Sequence, residues 1–290
     1  MLLGLAIGDA LGALTESLLP RLRRKIFGEI RDYLEYPHTG ERKGYPTDDT
    51  QLAFWTLEQM LADDGFVPEN VAQRFCCSAI FGLGNSVNTF LKRHREERHP
   101  WHESGPSSAG NGAMMRIAPM LVPHLYTGTS KLWVNTALSA MITHNDPAST
   151  ATCVSFIRRL WDLLQMNKPP LPDWWRSTYV ETALPLEGET KYRPRGGQFR
   201  DYEGPMWRFV DERLRDASAR RLSAKAACND WWSAAYLLET IPSVLYILTL
   251  HANEPEKAIV RAANDTKDND TIAANVGSAV GALHGRTALP

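Results

Sequence analysis

The sequence predicts an all-α protein. Apolar residues recur at helical spacing along most of the chain, and few stretches alternate apolar and polar residues as half-buried strands do. Glycines at four-residue spacing form one smooth stripe near each end of the chain, and these stripes are Gly4-Gly8-Gly12 and Gly277-Gly281-Gly285. We therefore expect the first and last helices to pack closely against other helices and to lie deep in the domain.

The helix boundaries follow from caps and periodicity. One helix is opened by Thr47, whose hydroxyl is a good N-cap, and closes near Gly65. Similar patterns predict helices over 67–83, 131–143, 148–166, 206–226, 231–252 and 271–284. Residues 167–205 hold six of the 18 prolines, so long helices are not expected there. We interpret this Pro/Gly-rich segment as a surface insertion, with a lid near a site as the alternative.

Composition argues against several classes of protein. Lys plus Arg is 32 and Asp plus Glu is 33, whereas a nucleic-acid-binding protein would carry a basic excess. The longest nearly apolar stretch, 241–250, is too short to span a bilayer as a helix. The four cysteines form neither a CxxC pair nor a disulfide framework. We expect a cytoplasmic monomer with no nucleic-acid and no membrane partner.

Two acidic clusters stand at predicted helix starts, Thr-Asp-Asp-Thr at 47–50 and Asp-Asn-Asp-Thr at 268–271. The helix dipole stabilises carboxylates at such positions, so capping is one interpretation. A site for a hard cation is the other, because consecutive residues at a helix start can direct several oxygens to one point. Two such clusters together favour a shared metal site. An EF-hand is excluded, because the required glycine and final acidic residue are missing.

Two further segments are candidates for ligand binding. Residues 107–116 read Ser-Ser-Ala-Gly-Asn-Gly-Ala-Met-Met-Arg, and their small side chains permit close approach of the backbone to a ligand, although a plain turn is the default. Asp9 and Glu16 are seven residues apart and share one face if the first helix persists. A solvated or capping pair explains that spacing equally well. The single Arg-Gly-Gly triplet at 195–197 carries almost no information about nucleic acid.

These motifs together resemble the ADP-ribosylglycohydrolase family. Four matches occur in the family's order: Gly-Asp-Ala-Leu-Gly at 8–12 followed by Glu16, Thr-Asp-Asp-Thr at 47–50, Gly-Asn-Gly-Ala-Met-Met-Arg at 110–116, and Asp-Asn-Asp-Thr-Ile-Ala at 268–273. The resemblance spans nearly the whole chain and implies one all-α domain over 1–290. It implies a hydrolase that uses two Mg²⁺ (or Mn²⁺) ions and acts on an ADP-ribosylated protein or a small ADP-ribose derivative.

The resemblance also assigns roles to residues by position. The metal ligands would be Thr47, Asp48, Asp49, Asp268, Asp270 and Thr271. The catalytic residues would be Glu16, Asp48 and Asp49, with Glu16 as general acid or base. The substrate-binding residues would be Ser108, Gly110, Asn111, Gly112 and Met114. We interpret His144, which follows a predicted helix, as structural.

The resemblance implies cleavage of an ADP-ribosyl bond, during which positive charge develops on the ribose. The N-glycosidic bond to arginine is the first choice of linkage. The alternatives are O-linked or free ADP-ribose derivatives, a metal phosphohydrolase that cuts the pyrophosphate, and a catalytically silent ADP-ribose-binding or structural relative. One departure concerns the last motif, where Thr266 and Lys267 replace the usual pair of glycines. Lys267 would either contact a ligand phosphate or restrict access.

Overall fold

The computed structural model describes residues 1–126, 128 and 130–290 and is built from helices. Within those residues no strand forms, and β-pairing is limited to three isolated bridges. The all-α prediction is therefore confirmed. In the described part of the chain, no helix has the length and apolar character needed to cross a membrane. All four cysteines are free thiols.

Fourteen α-helices lie in the described residues, and we number them in chain order. They are α1 (Leu2–Ala13), α2 (Pro20–Phe27), α3 (Asp48–Ala62), α4 (Pro68–Phe75), α5 (Asn85–Leu91), α6 (Trp101–Ser104), α7 (Lys131–Thr143), α8 (Pro147–Leu164), α9 (Pro172–Glu187), α10 (Met206–Ala219), α11 (Ala224–Asp230), α12 (Leu237–His251), α13 (Pro255–Asp265) and α14 (Asn269–His284). A π-helical segment, Lys92–Glu96, continues α5, and 3₁₀ helices cover Met114–Arg116, Ala118–His124 and Arg286–Ala288.

The predicted boundaries of α3, α7, α8 and α14 agree with the structure within a few residues, whereas three predicted helices are too long. The helix predicted over 67–83 ends at Phe75 and is followed by a loop in which Gly82 has a φ of 75°. The helix predicted over 206–226 is divided in two, because Ser223 caps a new helix by accepting a hydrogen bond from Ala226 N. The helix predicted over 231–252 begins only at Leu237, after two residues in the left-handed region.

The prediction that 167–205 lacks long helices is wrong, because α9 lies within that segment. Pro172 occupies the first turn of α9, where its missing N–H costs no intrahelical hydrogen bond. Pro185 lies near the end of the helix. Trp175 and Tyr179, four residues apart on one face, are fully buried and anchor α9 in the core. Residues 188–205 are irregular.

Helices α1 and α14 are in direct backbone contact. A Cβ atom placed on Gly4 would lie 2.0 Å from the carbonyl oxygen of Gly277, and one on Gly8 would lie 2.0 Å from that of Ala273. Gly12 meets the backbone of the first turn of α14 in the same way. Close packing of the first and last helices is therefore confirmed. Gly285 is not part of this contact, because its φ of 76° places it just after the end of α14.

The α1–α14 contact makes Gly8→Ala a sensitive substitution. The added methyl group would force the two helices apart, and overpacking of this kind costs about 1–3 kcal/mol. We expect Tm to fall by several degrees in differential scanning calorimetry. Gly84→Ala is the comparison, because Gly84, the N-cap of α5, has a φ of −74° and an added Cβ would meet nothing within 4 Å, so only the weaker cap should lower its Tm. Equal Tm values for Gly8→Ala and the parent protein would contradict the backbone contact.

Candidate metal centre and substrate cavity

The N-termini of α3 and α14 meet in the interior. Thr47 caps α3, and its hydroxyl oxygen accepts a hydrogen bond from Asp49 N at 3.4 Å. Thr271, in the first turn of α14, donates from its hydroxyl to Asp49 Oδ2 at 3.2 Å. The structure thus brings together the two acidic clusters that were paired from the sequence.

Asp9, on α1, is a third contributor, to which the sequence analysis gave no role in metal binding. Its carboxylate accepts hydrogen bonds from the backbone N–H groups of Thr47, at 3.0 Å, and Thr50, at 3.1 Å. The hydroxyl of Thr47 also donates to Asp9 Oδ1 at 2.9 Å. Asp9 therefore joins α1 to the start of α3. Asp9 directly follows Gly8 on a helix that we expected to be buried. Because a buried carboxylate requires hydrogen-bond partners, that position could have indicated that Asp9 contacts another part of the site.

The carboxylates form two groups that share one member. One oxygen from each of Asp9, Asp49 and Asp270 lies within 4.8 Å of the others. The same holds for Glu16, Asp268 and Asp270. Asp270 thus belongs to both groups, and Glu16 is the exposed member of its group.

The oxygens of these groups suit divalent cations. Asp49 Oδ1 and Asp270 Oδ1 are buried and have no hydrogen-bond partner. A buried carboxylate oxygen without a donor is costly unless a positive charge compensates it. Carboxylate and hydroxyl oxygens are the ligands that Mg²⁺ and Mn²⁺ prefer. The residues present therefore fit hard divalent cations.

Burial raises the pKa of the carboxyl groups in this cluster. Burial first, and then the negative charge of neighbouring carboxylates, raises the pKa of Asp48 to about 8. Burial raises the pKa of Asp268 to about 7, against the opposing effect of a hydrogen bond from an amide. The pKa values of Asp49 and Asp270 lie well above their usual range for the same reasons. Burial and a neighbouring carboxylate also raise the pKa of Glu16. Without cations, the cluster retains protons near neutral pH.

A cavity of about 450 Å³, called the main cavity below, adjoins the carboxylates. Its acidic lining consists of Glu16, Asp48, Asp268 and Asp270, together with Thr271. Thr47 and Asp49 do not line the main cavity, and both are buried.

The predicted substrate-binding residues line the main cavity with one exception. Ser108, Gly110, Asn111 and Gly112 all contribute to the lining. Met114 does not, because its side chain is buried in the hydrophobic core. The next residue, Met115, lines the main cavity instead. The one-residue difference reflects the 3₁₀ turn that begins at this point.

Asn111 connects the glycine-containing loop, residues 108–112, to the carboxylate cluster. Its amide nitrogen donates to Asp268 Oδ2 and to Thr240 Oγ1, the latter at 3.0 Å. The loop is further fixed by a hydrogen bond of 2.9 Å between the hydroxyls of Ser86 and Ser108. The loop and the candidate metal centre are therefore parts of one hydrogen-bonded unit.

His144 packs against the loop as a neutral imidazole. Arg116 Nη2 donates to Thr143 Oγ1 at 2.8 Å, and Thr143 Oγ1 lies 3.0 Å from His144 Nδ1, within hydrogen-bond distance. Nε2 of His144 would lie 3.2 Å from a Cβ on Gly110. Burial and the charge of Arg116 lower the pKa of His144 to about 3. His144 also lines the main cavity, beyond the structural role predicted for it.

Lys267 lies outside the main cavity. It lines a smaller cavity of about 260 Å³ that also reaches Glu16 and Asp268. Its Nζ lies 4.2 Å from the ring centroid of Trp232 and donates to Asn229 Oδ1 at 3.3 Å. Among the described residues, the basic side chain in the lining of the main cavity is instead Arg195, in the 188–205 segment, to which the sequence analysis gave no role.

Comparison with known proteins identifies the family of this chain. The family model described as ADP-ribosylglycohydrolase matches residues 1–290. An uncharacterised protein of Archaeoglobus fulgidus is 33% identical over 159 residues, about half of each chain (53% and 51%). The ADP-ribosylarginine hydrolase Tri1 of Pseudomonas putida is 25% identical over 300 residues, which cover 100% of this chain and 71% of that protein.

The fold is also shared with a solved structure, described as an ADP-ribosylglycohydrolase-related protein complex. The TM-score is 0.67 at 23% sequence identity, and the match covers 100% of this chain and 87% of the other. Because the family model spans the whole sequence, the chain belongs to the ADP-ribosylglycohydrolase family.

Proposed function

We propose that this protein is a metal-dependent hydrolase that removes ADP-ribose from modified protein side chains, with the N-glycosidic bond to arginine as its first substrate. Membership of the family supports the class of reaction. The similarity to an ADP-ribosylarginine hydrolase supports the linkage. The observation that carries the proposal is that two clusters of carboxylate side chains, which have Asp270 in common, lie beside the main cavity.

Two Mg²⁺ (or Mn²⁺) ions would be held by the residues assigned from the resemblance together with Asp9. These residues are Asp9, Thr47, Asp48, Asp49, Asp268, Asp270 and Thr271. Five of them are carboxylates, so four positive charges would compensate most of the negative charge. When bound, the ions would orient the ribose hydroxyls and lower the pKa of a water molecule.

Glu16 is the proposed general acid or base. It is accessible from the main cavity, and burial and the charge of Asp9 raise its pKa, in the direction that a general acid requires. The protonated carboxyl group would donate to the departing guanidine nitrogen, and the resulting carboxylate would then accept a proton from the attacking water. Asp48 and Asp49 would contribute to catalysis by holding the ions against the reacting ribose.

The ADP-ribosyl group would bind along the loop that contains Gly110 and Gly112. Glycines here leave room for a ligand to approach the backbone. Ser108, Asn111 and Met115 would complete this part of the site. The imidazole of His144, which lines the main cavity, offers an additional polar contact.

The linkage and the reaction can be tested with two peptides, one ADP-ribosylated on arginine and the other on serine. We expect Mg²⁺- or Mn²⁺-dependent release of intact ADP-ribose from the arginine peptide, identified by mass spectrometry. Asp270→Asn removes the charge that both groups share and should lower the rate at least about 100-fold. Glu16→Gln removes the proton-transfer group and should lower it by about 100- to 10,000-fold.

Glu58→Gln is the control, because Glu58 lies on α3 but forms only an exposed ion pair with Arg74. Its rate should equal that of the parent protein. Release from the serine peptide alone would contradict the choice of arginine. AMP as the product would contradict glycosidic cleavage, and binding of ADP-ribose without release from either peptide would indicate a silent relative.

The raised pKa values also predict how stability depends on pH and cations. The ordinary pKa of 3.8 rises to about 8 for Asp48 and to about 7 for Asp268 in the folded protein, so the folded state binds protons that the unfolded state has released. The stabilisation that these two groups contribute to the metal-free protein should therefore be greatest below about pH 4 and be lost as the pH rises towards about 8. Mg²⁺ or Mn²⁺ replaces the protons, so the rise in Tm on adding the cation should be larger at pH 8 than at pH 5.

The rise in Tm can be measured by scanning calorimetry at both pH values, with EDTA in one sample and the cation in the other. Asp48→Asn should flatten the pH dependence of the metal-free protein, because it removes one of the two named groups. A Tm rise that is equal at both pH values would show that the carboxyl groups are already ionised in the metal-free protein.

A further inference from the structure

The main cavity is lined by more acidic than basic side chains. Its lining carries the carboxyl groups of Glu16, Asp48, Asp268 and Asp270. Among the described residues, Arg195 is the one lysine or arginine in that lining. An ADP-ribosyl group carries two negative charges on its diphosphate, which a nearby positive charge stabilises. The proposed metal ions would compensate the carboxylates, so Arg195 is the basic side chain in the lining that remains available to the diphosphate.

Arg195 is fixed by its backbone. Its N–H group donates to Glu239 Oε1 at 2.9 Å, and the N–H group of Gly196 donates to the same oxygen at 3.2 Å. Glu239 is fully buried in the first turn of α12, so it is a rigid anchor. A Cβ atom on Gly196 would lie 2.4 Å from Trp232 Cγ, so a glycine is required for this close passage.

The guanidinium group of Arg195 is held in place by an aromatic ring and keeps its N–H donors available for a ligand. Its central carbon lies 4.2 Å from the ring centroid of Tyr236, within the range of a cation–π contact. In the described part of the chain, the contacts of Arg195 are the backbone hydrogen bond to Glu239 and this ring contact, and its charge also acts against the burial that raises the pKa of the Glu239 carboxyl group. Its planar set of N–H donors is therefore free, and such a set matches the geometry of phosphate oxygens.

Tyr236 brings this cation close to the glycine-containing loop. Gly110 and Tyr236 form an isolated antiparallel bridge, and Leu237 N donates to Ala109 O at 2.9 Å. The arginine that lies on the Tyr236 ring therefore borders the same part of the main cavity as the loop. Lys267 does not compete for this role, because it lies over Trp232 in the smaller cavity.

We propose that Arg195 binds the diphosphate of the ADP-ribosyl group, an inference that rests on the proposed function. Its guanidinium donates to phosphate oxygens and supplies a positive charge beside the glycine-containing loop. The irregular stretch 188–205 then supplies a substrate-binding residue, and Glu239 and Tyr236 are the positioning residues that hold it.

The test is isothermal titration of the Mg²⁺-loaded protein with ADP-ribose and, separately, with ADP. Arg195→Ala should weaken the binding of both ligands by about 10- to 100-fold, as expected when hydrogen bonds to a charged group are lost. Arg195→Lys should give an intermediate loss, because it keeps the charge without the planar donor set. The affinity of the parent protein should fall with rising NaCl concentration more steeply than that of Arg195→Ala.

Arg193→Ala is the matched control, because Arg193 lies in the same stretch and forms an exposed ion pair with Glu203. It should bind both ligands as the parent protein does. Mn²⁺ titrations without nucleotide should give the same affinity for Arg195→Ala and the parent, which separates a binding role from a collapse of the site.

Each outcome has a distinct meaning. Binding of both ligands by Arg195→Ala within about twofold of the parent would overturn the inference while leaving the proposed function in place. Arg195-dependent binding of ADP, without binding of ADP-ribose, would support the diphosphate role and contradict the proposed function. A parent protein that binds neither ligand would overturn both.

Discussion

The candidate site depends on the backbone contact between α1 and α14. Two helices that touch at glycines lie closer together than any side chain would allow, and this contact joins the two ends of the chain. Asn269, at the start of α14, donates to Gly12 O and to Thr15 Oγ1, each at 3.0 Å, and so fixes the position of α14 along α1. Asp9 and Asp270 are thereby held near each other. A larger residue in place of one of these glycines would move Asp9 and Asp270 apart, although it would not touch either carboxylate.

That close approach has an electrostatic consequence. Carboxyl groups from three helices are buried together, and Asp49 and Asp270 each have an oxygen without a donor. The dipoles of α3 and α14 offset about 0.3–1 kcal/mol per charge, far less than the cost of burying carboxylates. Protons or divalent cations must supply the remaining compensation. Cation binding is therefore coupled to the stability of the fold, and the same ions would prepare the cavity for substrate.

Local signals in the sequence account for what could be predicted. Caps and periodicity are properties of neighbouring residues, so the all-α class and the acidic helix starts could be recognised. Asp9 was not recognised as a partner of α3, because its contacts are made 38 and 41 residues away along the chain. Arg195 has no local signal, since Glu239 and Tyr236 define its position. Helix α9 was not predicted, because the prolines of this segment argued against a long helix, although Trp175 and Tyr179 have the four-residue spacing of one helix face.

The central claim is that two divalent cations share Asp270, one of them held with Asp9 and Asp49 and the other with Asp268. Anomalous diffraction from crystals grown with Mn²⁺ tests it most directly, because it locates each ion without reference to activity. The account predicts two anomalous peaks on either side of the Asp270 carboxylate, one beside Asp9 and Asp49 and one beside Asp268. Peaks elsewhere on the protein, or no peak at the cluster in Mn²⁺-saturated crystals, would contradict it.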